Sequence, residues 1–486
     1  MNNDNSIIII GAGFAGLSTG IYGQLNGYKT RIFEMHNLPG GLCTSWKRKG
    51  YTIDGCIHWL VGSSKTSRMH DMYEEVGLIK DTEIINIDEY MHLESPDGRV
   101  LTFYTDVDRL EKHLLEFSPQ DSVPIKEFID GIRMCLSFDQ PSKNIPFAER
   151  IMKQVKMYAG FVLNGKKMQK WIRITGSEFA DRFKDPILKK AFHEMWLPEF
   201  SMLFMLFTFG YLHKKNAGYP VGGSTPMSKA LEEKYKSLGG TISYNSRVEK
   251  IITEGDKATG IRLQDGTEYF ADRIVSAADG YSTIFKMLDG KYTDEKIKYS
   301  YEKWPTFPCL IFIGVGVNRT FDEVPLSVSG FSYQLKEPVM IGESERDRLW
   351  LHIYNHDPSL SPSGKTVLTI MLNTDYDYWK KLAEDKTAYE QKKEEISDKI
   401  TGLLEQRFPG ISSQVEMINI ATPMTFERYT GNWKGSFEGW LITPDNAHVI
   451  MKPMSQTLPG LKNFYMSGQW VEDRKSTRLN SSHRIR

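Results

Sequence analysis

Three glycines with the spacing GxGxxG, Gly11, Gly13 and Gly16, stand directly behind the apolar run Ile7-Ile8-Ile9-Ile10. Residues of this kind bind a diphosphate with main-chain groups. Gly11 permits a tight turn, Gly13 lets a pyrophosphate approach the backbone, and Gly16 lets the following helix pack closely on the strand. Phe14 and Ala15, between the second and third glycine, belong to the same binding turn. Glu34 closes the next β-prone run, Thr30 to Phe33, where a carboxylate accepts from a ribose hydroxyl and repels the extra phosphate of an NADP-type ligand. Turn and acid together predict a dinucleotide site.

The elements that position these residues follow from periodicity. Four consecutive isoleucines cannot alternate between core and water, so their strand is expected to be covered on both faces, at the centre of a parallel sheet. Leu17 to Asn26 reads as the helix that presents its N-terminal N–H groups to the phosphates, with Gly27 as its stop.

Further on, Pro39-Gly40-Gly41 and Tyr51-Thr52-Ile53-Asp54-Gly55 bear on which dinucleotide is bound. Here the chain resembles the FAD-dependent amine-oxidase-like superfamily, in particular its phytoene desaturase, carotenoid isomerase and retinol saturase branch. The resemblance runs over nearly all of residues 6 to 472. It implies an α/β fold, with a Rossmann-like FAD-binding domain of the GR2 type and an interleaved α+β substrate domain. It also implies that Glu34, Gly40, Gly41, Leu42, Asp54 and Gly55 serve FAD, although Leu42 stands where many relatives carry Arg. Gly222 and Gly223 match a doublet beside the flavin ring, Val248 a valine whose backbone meets the adenine, and Gly468 and Gln469 a final strand end that approaches the flavin. The implied activity is FAD-dependent desaturation, saturation or isomerisation of carbon–carbon bonds in an apolar polyene or lipid. An amine oxidase, or a lipid-binding protein that keeps FAD without turnover, shares the same motifs.

Composition bounds the remaining possibilities. With 486 residues there is room for two or three domains and a large core, so neither disulfides nor a metal are required for stability. Lys and Arg number 61 against 61 Asp and Glu, which gives no pull toward nucleic acid. Cys43, Cys56, Cys135 and Cys309 show neither a CxxC pair nor a Cys/His cluster, so no metal site is expected and a reducing cytoplasm is the simplest compartment. No run reaches the ~18 apolar residues of a membrane span, and no signal core is seen at the start.

Two stretches in the middle bear on the delivery of an apolar substrate. Residues 147 to 173 carry seven Lys or Arg against the single acid Glu149, interleaved with apolar residues, a composition that suits either a solvated helix face or the inner face of an anionic membrane. Phe200 to Leu212, FSMLFMLFTFGYL, is apolar on every side, which suits either a buried helix or the wall of a substrate tunnel. Peripheral membrane contact through 147 to 212 is therefore the expectation. Residues 241 to 270 read as a four-strand meander, followed by a strand, Arg273 to Ala278, that returns to the first sheet.

The FAD-binding domain is thus expected from 1–105, 218–290 and 421–472, and the substrate domain from 106–217 and 291–420. His58 and Trp59 directly follow the Asp54-Gly55 stretch, but no acid, base or nucleophile stands out, and no catalytic residue is assigned. Residues 473–486 form a basic stretch without glycine or periodicity, expected to be a non-native tail that resembles translated adapter sequence. Five positive charges lie in it, which leaves residues 1–473 at a formal −5.

Overall fold

The computed structural model describes residues 5–471 apart from 96, 196, 327 and 451–453, so the expected non-native tail lies outside the described residues. The isoleucine run forms the central strand of a five-stranded parallel sheet. Its order is Thr241–Ser243, Lys29–Phe33, Ser6–Ile10, Arg273–Ser276, Phe464–Met466. Ile7 and Ile9 pack into one apolar cluster with Leu17, Ile21 and Leu231, while Ile8 and Ile10 pack into another with Ile251, Ala258 and Ile261. Both faces are therefore covered, by the helices Phe14–Leu25 and Ser224–Ser237 on one side and by an antiparallel three-stranded sheet on the other.

That three-stranded sheet is a correction to the expected four-strand meander. Val248–Glu254, Lys257–Leu263 and Glu268–Phe270 form it, whereas Thr241–Ser243 pairs in parallel with Lys29–Phe33 at the edge of the main sheet. Strand propensity marks both segments equally, and only the pairing partner distinguishes them.

The second sheet has seven strands, in the order Val415–Ala421, Cys309–Val317, Thr366–Thr374, Ser344–Ile353, Phe331–Ile341, Glu89–Glu94, Val100–Tyr104. One face is covered by the helix Lys386–Arg407 through Ile396, Ile400, Leu403 and Leu404. The other approaches the hairpin Ser45–Arg48 and Tyr51–Asp54 so closely that a Cβ on Gly314 or Gly316 would lie 2.8 or 2.6 Å from Ile53 or Tyr51. Strands Glu89–Glu94 and Val100–Tyr104 thus belong by pairing to the sheet of the 291–420 segment. We propose on this ground that the first FAD-binding segment ends ahead of Glu89 rather than at 105.

Among the described residues, six α-helices between Val107 and His213 pack around Phe128, Phe179, Phe192 and Phe209. Thr175 and Glu178 make the reciprocal capping box that their spacing predicts. Met202–His213, the all-apolar segment, contributes Met202, Leu203, Met205, Leu206, Phe209 and Leu212 to this core, so most of it is packing rather than tunnel wall.

Candidate functional site

Where the parallel strands end, their C-terminal turns surround a cleft of about 440 Å³. Ligands bind at this edge of open α/β sheets because the crossover turns diverge there and helix N-termini point inward. Gly11, with φ +95°, ends the first strand, and Gly13 caps the helix Phe14–Leu25 with no side-chain acceptor on its first-turn N–H groups. Gly16 lies beneath the turn. A Cβ there would fall 1.9 Å from the Gly11 carbonyl oxygen, so only glycine permits this helix-to-strand distance.

A second glycine pair completes the cradle. Gly40 N donates to Ala12 O at 2.9 Å, and Gly41, with φ +61°, has its hypothetical Cβ only 3.3 Å from Gly13 Cα. Gly468, with φ +105°, approaches Ala15 from the last strand of the sheet. Three separate backbone segments therefore meet without side chains, leaving room for a diphosphate beside the uncapped N–H groups. Glu34, buried at one wall, accepts from Ala12 N at 2.6 Å and His36 N at 2.9 Å. Burial nonetheless pushes its carboxyl above the usual range. Phe14, Ala15, Leu42, Val248 and Gln469 complete the set of predicted residues that line the cleft. Glycine cradle, helix N-terminus and terminal acid fit a dinucleotide.

The model of the flavin containing amine oxidoreductase family matches residues 14–474. The chain belongs to that family. Its cofactor is FAD. Among similar proteins, the chloroplastic prolycopene isomerase of Arabidopsis thaliana is 25% identical over 453 residues, covering 88% of this chain and 73% of its own length. A lycopene-forming phytoene desaturase of Pseudescherichia vulneris is 24% identical over 441 residues, covering 86% of this chain and 85% of its own. The solved structure of an oxidoreductase from Methanosarcina mazei superposes with a TM-score of 0.60 at 16% identity, over 99% of both chains, which shows a shared fold. The fold is the α/β flavoprotein arrangement, a Rossmann-like FAD-binding unit with an interleaved α+β unit.

Besides Gly16 beneath the turn, four residues predicted to serve the cofactor stand apart from the cleft lining. Asp54 is buried and accepts from Cys56 N and Ile57 N, both at 2.9 Å, and from Ser224 N and Ser224 Oγ at 2.5 and 2.9 Å. It joins the hairpin to the start of the helix Ser224–Ser237, and burial raises its carboxyl pKa in spite of these donors. Gly223, at φ +70°, is the residue this joint excludes a side chain from, since a Cβ would sit 2.2 Å from Asp54 Oδ2. Gly222 donates its N–H to Asp357 Oδ2 at 2.7 Å, and Gly55 lies against the Trp46 ring. Their glycine and acid chemistry serves the frame that holds the cleft.

Other lining residues escaped the sequence reading. Asp279 follows the strand Arg273–Ser276 much as Glu34 follows Lys29–Phe33, a positional echo that could have found it. Its carboxylate accepts from Ser282 N at 2.7 Å and Trp433 N at 2.9 Å, yet burial outweighs both and pushes its pKa up to about 6. Asn432 accepts from Gln469 Nε2 at 3.1 Å and Trp470 Nε1 at 3.2 Å while donating to Ser436 O, so it links the two chain segments that close the cleft. No sequence signal marks it.

A half-buried polar pair lies on the seven-stranded sheet. His352 stacks on His58 with ring centroids 4.8 Å apart, and Tyr354 approaches His58 Nδ1 at 3.4 Å. His352 Nδ1 faces the Ser329 carbonyl at 2.7 Å, an acceptor only, so Nδ1 carries the proton of the neutral ring. Burial holds His352 below its ordinary pKa. Trp59, Tyr90 and Phe209 continue from His58 as successive ring contacts into the helical core. Among the described residues no group of three His, Cys, Asp or Glu is placed to hold a metal ion.

Proposed function

We propose that this flavoprotein is an FAD-dependent oxidoreductase acting on carbon–carbon bonds of an apolar polyene or related lipid, by desaturation, saturation or isomerisation. The observation that carries the reading is the similarity, over 88% and 86% of the chain, to enzymes named for prolycopene and phytoene, both long unsaturated hydrocarbons. FAD, when bound, supplies the two-electron exchange with a carbon centre. The residues proposed to hold it are Gly11, Gly13, Phe14, Ala15, Glu34, Gly40, Gly41, Leu42, Val248, Gly468 and Gln469, supported by their place in the cleft lining. Gly16, Asp54, Gly55, Gly222 and Gly223 are proposed to keep that cleft in shape.

The protein's own part is to hold a hydrocarbon and exclude water. The half-buried Trp59 ring offers apolar surface beside His58, and the neutral His352 stacks on His58 without adding a charge. Delivery is proposed from the inner face of an anionic membrane, with the protein otherwise cytoplasmic. Support comes from the helix Phe147–Arg173, where Phe147, Ile151, Val155, Tyr158 and Val162 form one outward stripe at helical spacing beside the lysines. No helix among the described residues is long and apolar enough to cross a membrane.

The test is direct. The purified protein is extracted and any co-purifying lipid identified by mass, and the flavin is then titrated anaerobically with polyenes and with amines. Bleaching of the oxidised flavin by a polyene, reoxidation of the reduced flavin by a polyene, or recovery of the polyene as a geometric isomer supports the reading, whereas bleaching by amines alone overturns it in favour of an amine oxidase. A flavin that exchanges electrons with neither class and leaves the polyene unchanged points to a non-enzymatic lipid-binding protein.

A further inference from the structure

Cys43 and Cys56 are thirteen positions apart in the chain, yet their sulfurs lie 3.1 Å from each other. The register explains why. In the hairpin, Ser45 stands opposite Asp54 and Gly55 N donates to Thr44 O at 3.1 Å, and just past the end of that ladder the chain brings Cys43 and Cys56 together. A disulfide holds its sulfurs about 2.05 Å apart, so about 1 Å of approach separates the two thiols from a bond. Both backbones are anchored, Cys43 N to Gly40 O at 3.0 Å and Cys56 N to Asp54 Oδ1 at 2.9 Å.

We propose that Cys43 and Cys56 are a reversible dithiol–disulfide site that takes a peroxide as oxidant. The two residues are 6% and 9% exposed, which admits a molecule the size of hydrogen peroxide more readily than a bulky disulfide. One thiolate attacks a peroxide oxygen, the O–O bond breaks, and the thiolate becomes a sulfenic acid as hydroxide leaves and is protonated to water. The second sulfur then attacks the first, the S–O bond breaks, and a second water leaves with the remaining proton. In total two thiols and one hydrogen peroxide give one disulfide and two waters.

The other two cysteines lack this arrangement. Cys309 donates its thiol to Thr374 O at 3.0 Å, and among the described residues neither it nor Cys135 has a second cysteine sulfur within hydrogen-bond reach. Position gives the pair its consequence, because Gly40, Gly41 and Leu42 line the cofactor cleft while Cys56 adjoins the Asp54 joint. A disulfide would tie the glycine doublet to that joint and slow the release of FAD. The chemistry of the pair does not depend on which substrate the enzyme takes.

The experiment treats the full-length protein with hydrogen peroxide, alkylates it after denaturation, digests it and analyses the peptides by mass. A Cys43–Cys56 linked peptide, two hydrogens lighter than the thiol pair and released by dithiothreitol, is the expected product, with Cys135 and Cys309 alkylated as before. Cys43→Ser and Cys56→Ser should each leave the remaining sulfur over-oxidised and unlinked, and oxidation should slow FAD dissociation several-fold in the wild type only. Alkylation of Cys43 and Cys56 in oxidised wild-type protein to the same extent as Cys135 would overturn the proposal, and that measurement requires no variant to fold.

Discussion

Two glycines three positions apart in one turn are predicted to fail in different ways. Gly13 has φ −70°, and its hypothetical Cβ meets nothing of the protein closer than 3.8 Å, so Gly13→Val should fold. Its side chain fills the space left for the diphosphate, and FAD affinity should fall at least tenfold, or about 1.4 kcal/mol. A colourless protein whose flavin-free melting temperature matches the wild type is the expected outcome. Gly16→Ala instead places a carbon against the Gly11 carbonyl and should not yield folded protein. Asp279 gives a prediction in pH. Its folded pKa of about 6 lies above its ordinary value of 3.8, so the stability it contributes is fully present below 3.8 and is lost as pH rises through 6. Going from about pH 7 to about pH 5 should therefore stabilise the wild type relative to Asp279→Asn by about 1 kcal/mol, measured by urea unfolding of flavin-free protein. Parallel curves for the two proteins would show that Asp279 is ionised throughout.

Among the elements, the helix Phe147–Arg173 departs from ordinary surface chemistry. Val162 and Leu163 are 83% and 79% exposed and Tyr158 is 66% exposed, within a segment that also carries Lys156, Lys166 and Lys167. Exposed apolar residues add nothing to the folded core, so replacing Val155, Val162 and Leu163 by Gln should leave thermal stability unchanged. If they enter a membrane interface at about 1 kcal/mol each, the triple variant should partition onto anionic liposomes roughly a hundredfold less in flotation. Equal flotation of variant and wild type would count against the membrane contact. The short hairpin around Tyr51–Asp54 has the opposite character, since each of its features is committed to packing. Tyr51 and Ile53 fill the space over Gly316 and Gly314, and Asp54 holds four donors.

At the scale of the molecule, that hairpin packs closely on the seven-stranded sheet and so bridges the proposed FAD-binding and substrate units. Ile53 and Tyr51 share an apolar cluster with Phe312, Val367 and Met417 of the sheet and with Ile7 and Leu17 beside the cofactor cleft. Cofactor release and global unfolding should therefore coincide, followed by flavin and tryptophan fluorescence in the same melt. Free FAD at a hundred times its dissociation constant should stabilise the fold by about 2.7 kcal/mol and move both signals upward together by a few degrees. Two separated transitions, with only the flavin signal responding to FAD, would show that the units melt independently.

The sequence by itself determined the features that local chemistry encodes. Strand, glycine turn, helix and acid lie within about thirty consecutive residues, and each follows from φ requirements, periodicity or capping, so the core of the candidate site was legible. The same holds for the Thr175 capping box, which the Thr-x-x-Glu spacing encodes locally. Tertiary structure decided what depends on partners distant in the chain. Alternation marks a buried strand face but carries no information on which strand lies beside it, so the assignments of Thr241–Ser243 and Glu89–Glu94 to their sheets could only be seen folded. Asp54 has the residue type of a ligand-binding acid, but Ser224, far along the chain, supplies two of its four donors and makes it a joint. Asn432 and Gln469 meet for the same reason, as do the thiols of Cys43 and Cys56 just past the end of a hairpin ladder. Hydrogen bonds and thiol contacts act over about 3 Å in space, a distance that spacing along a chain does not specify until the backbone has turned.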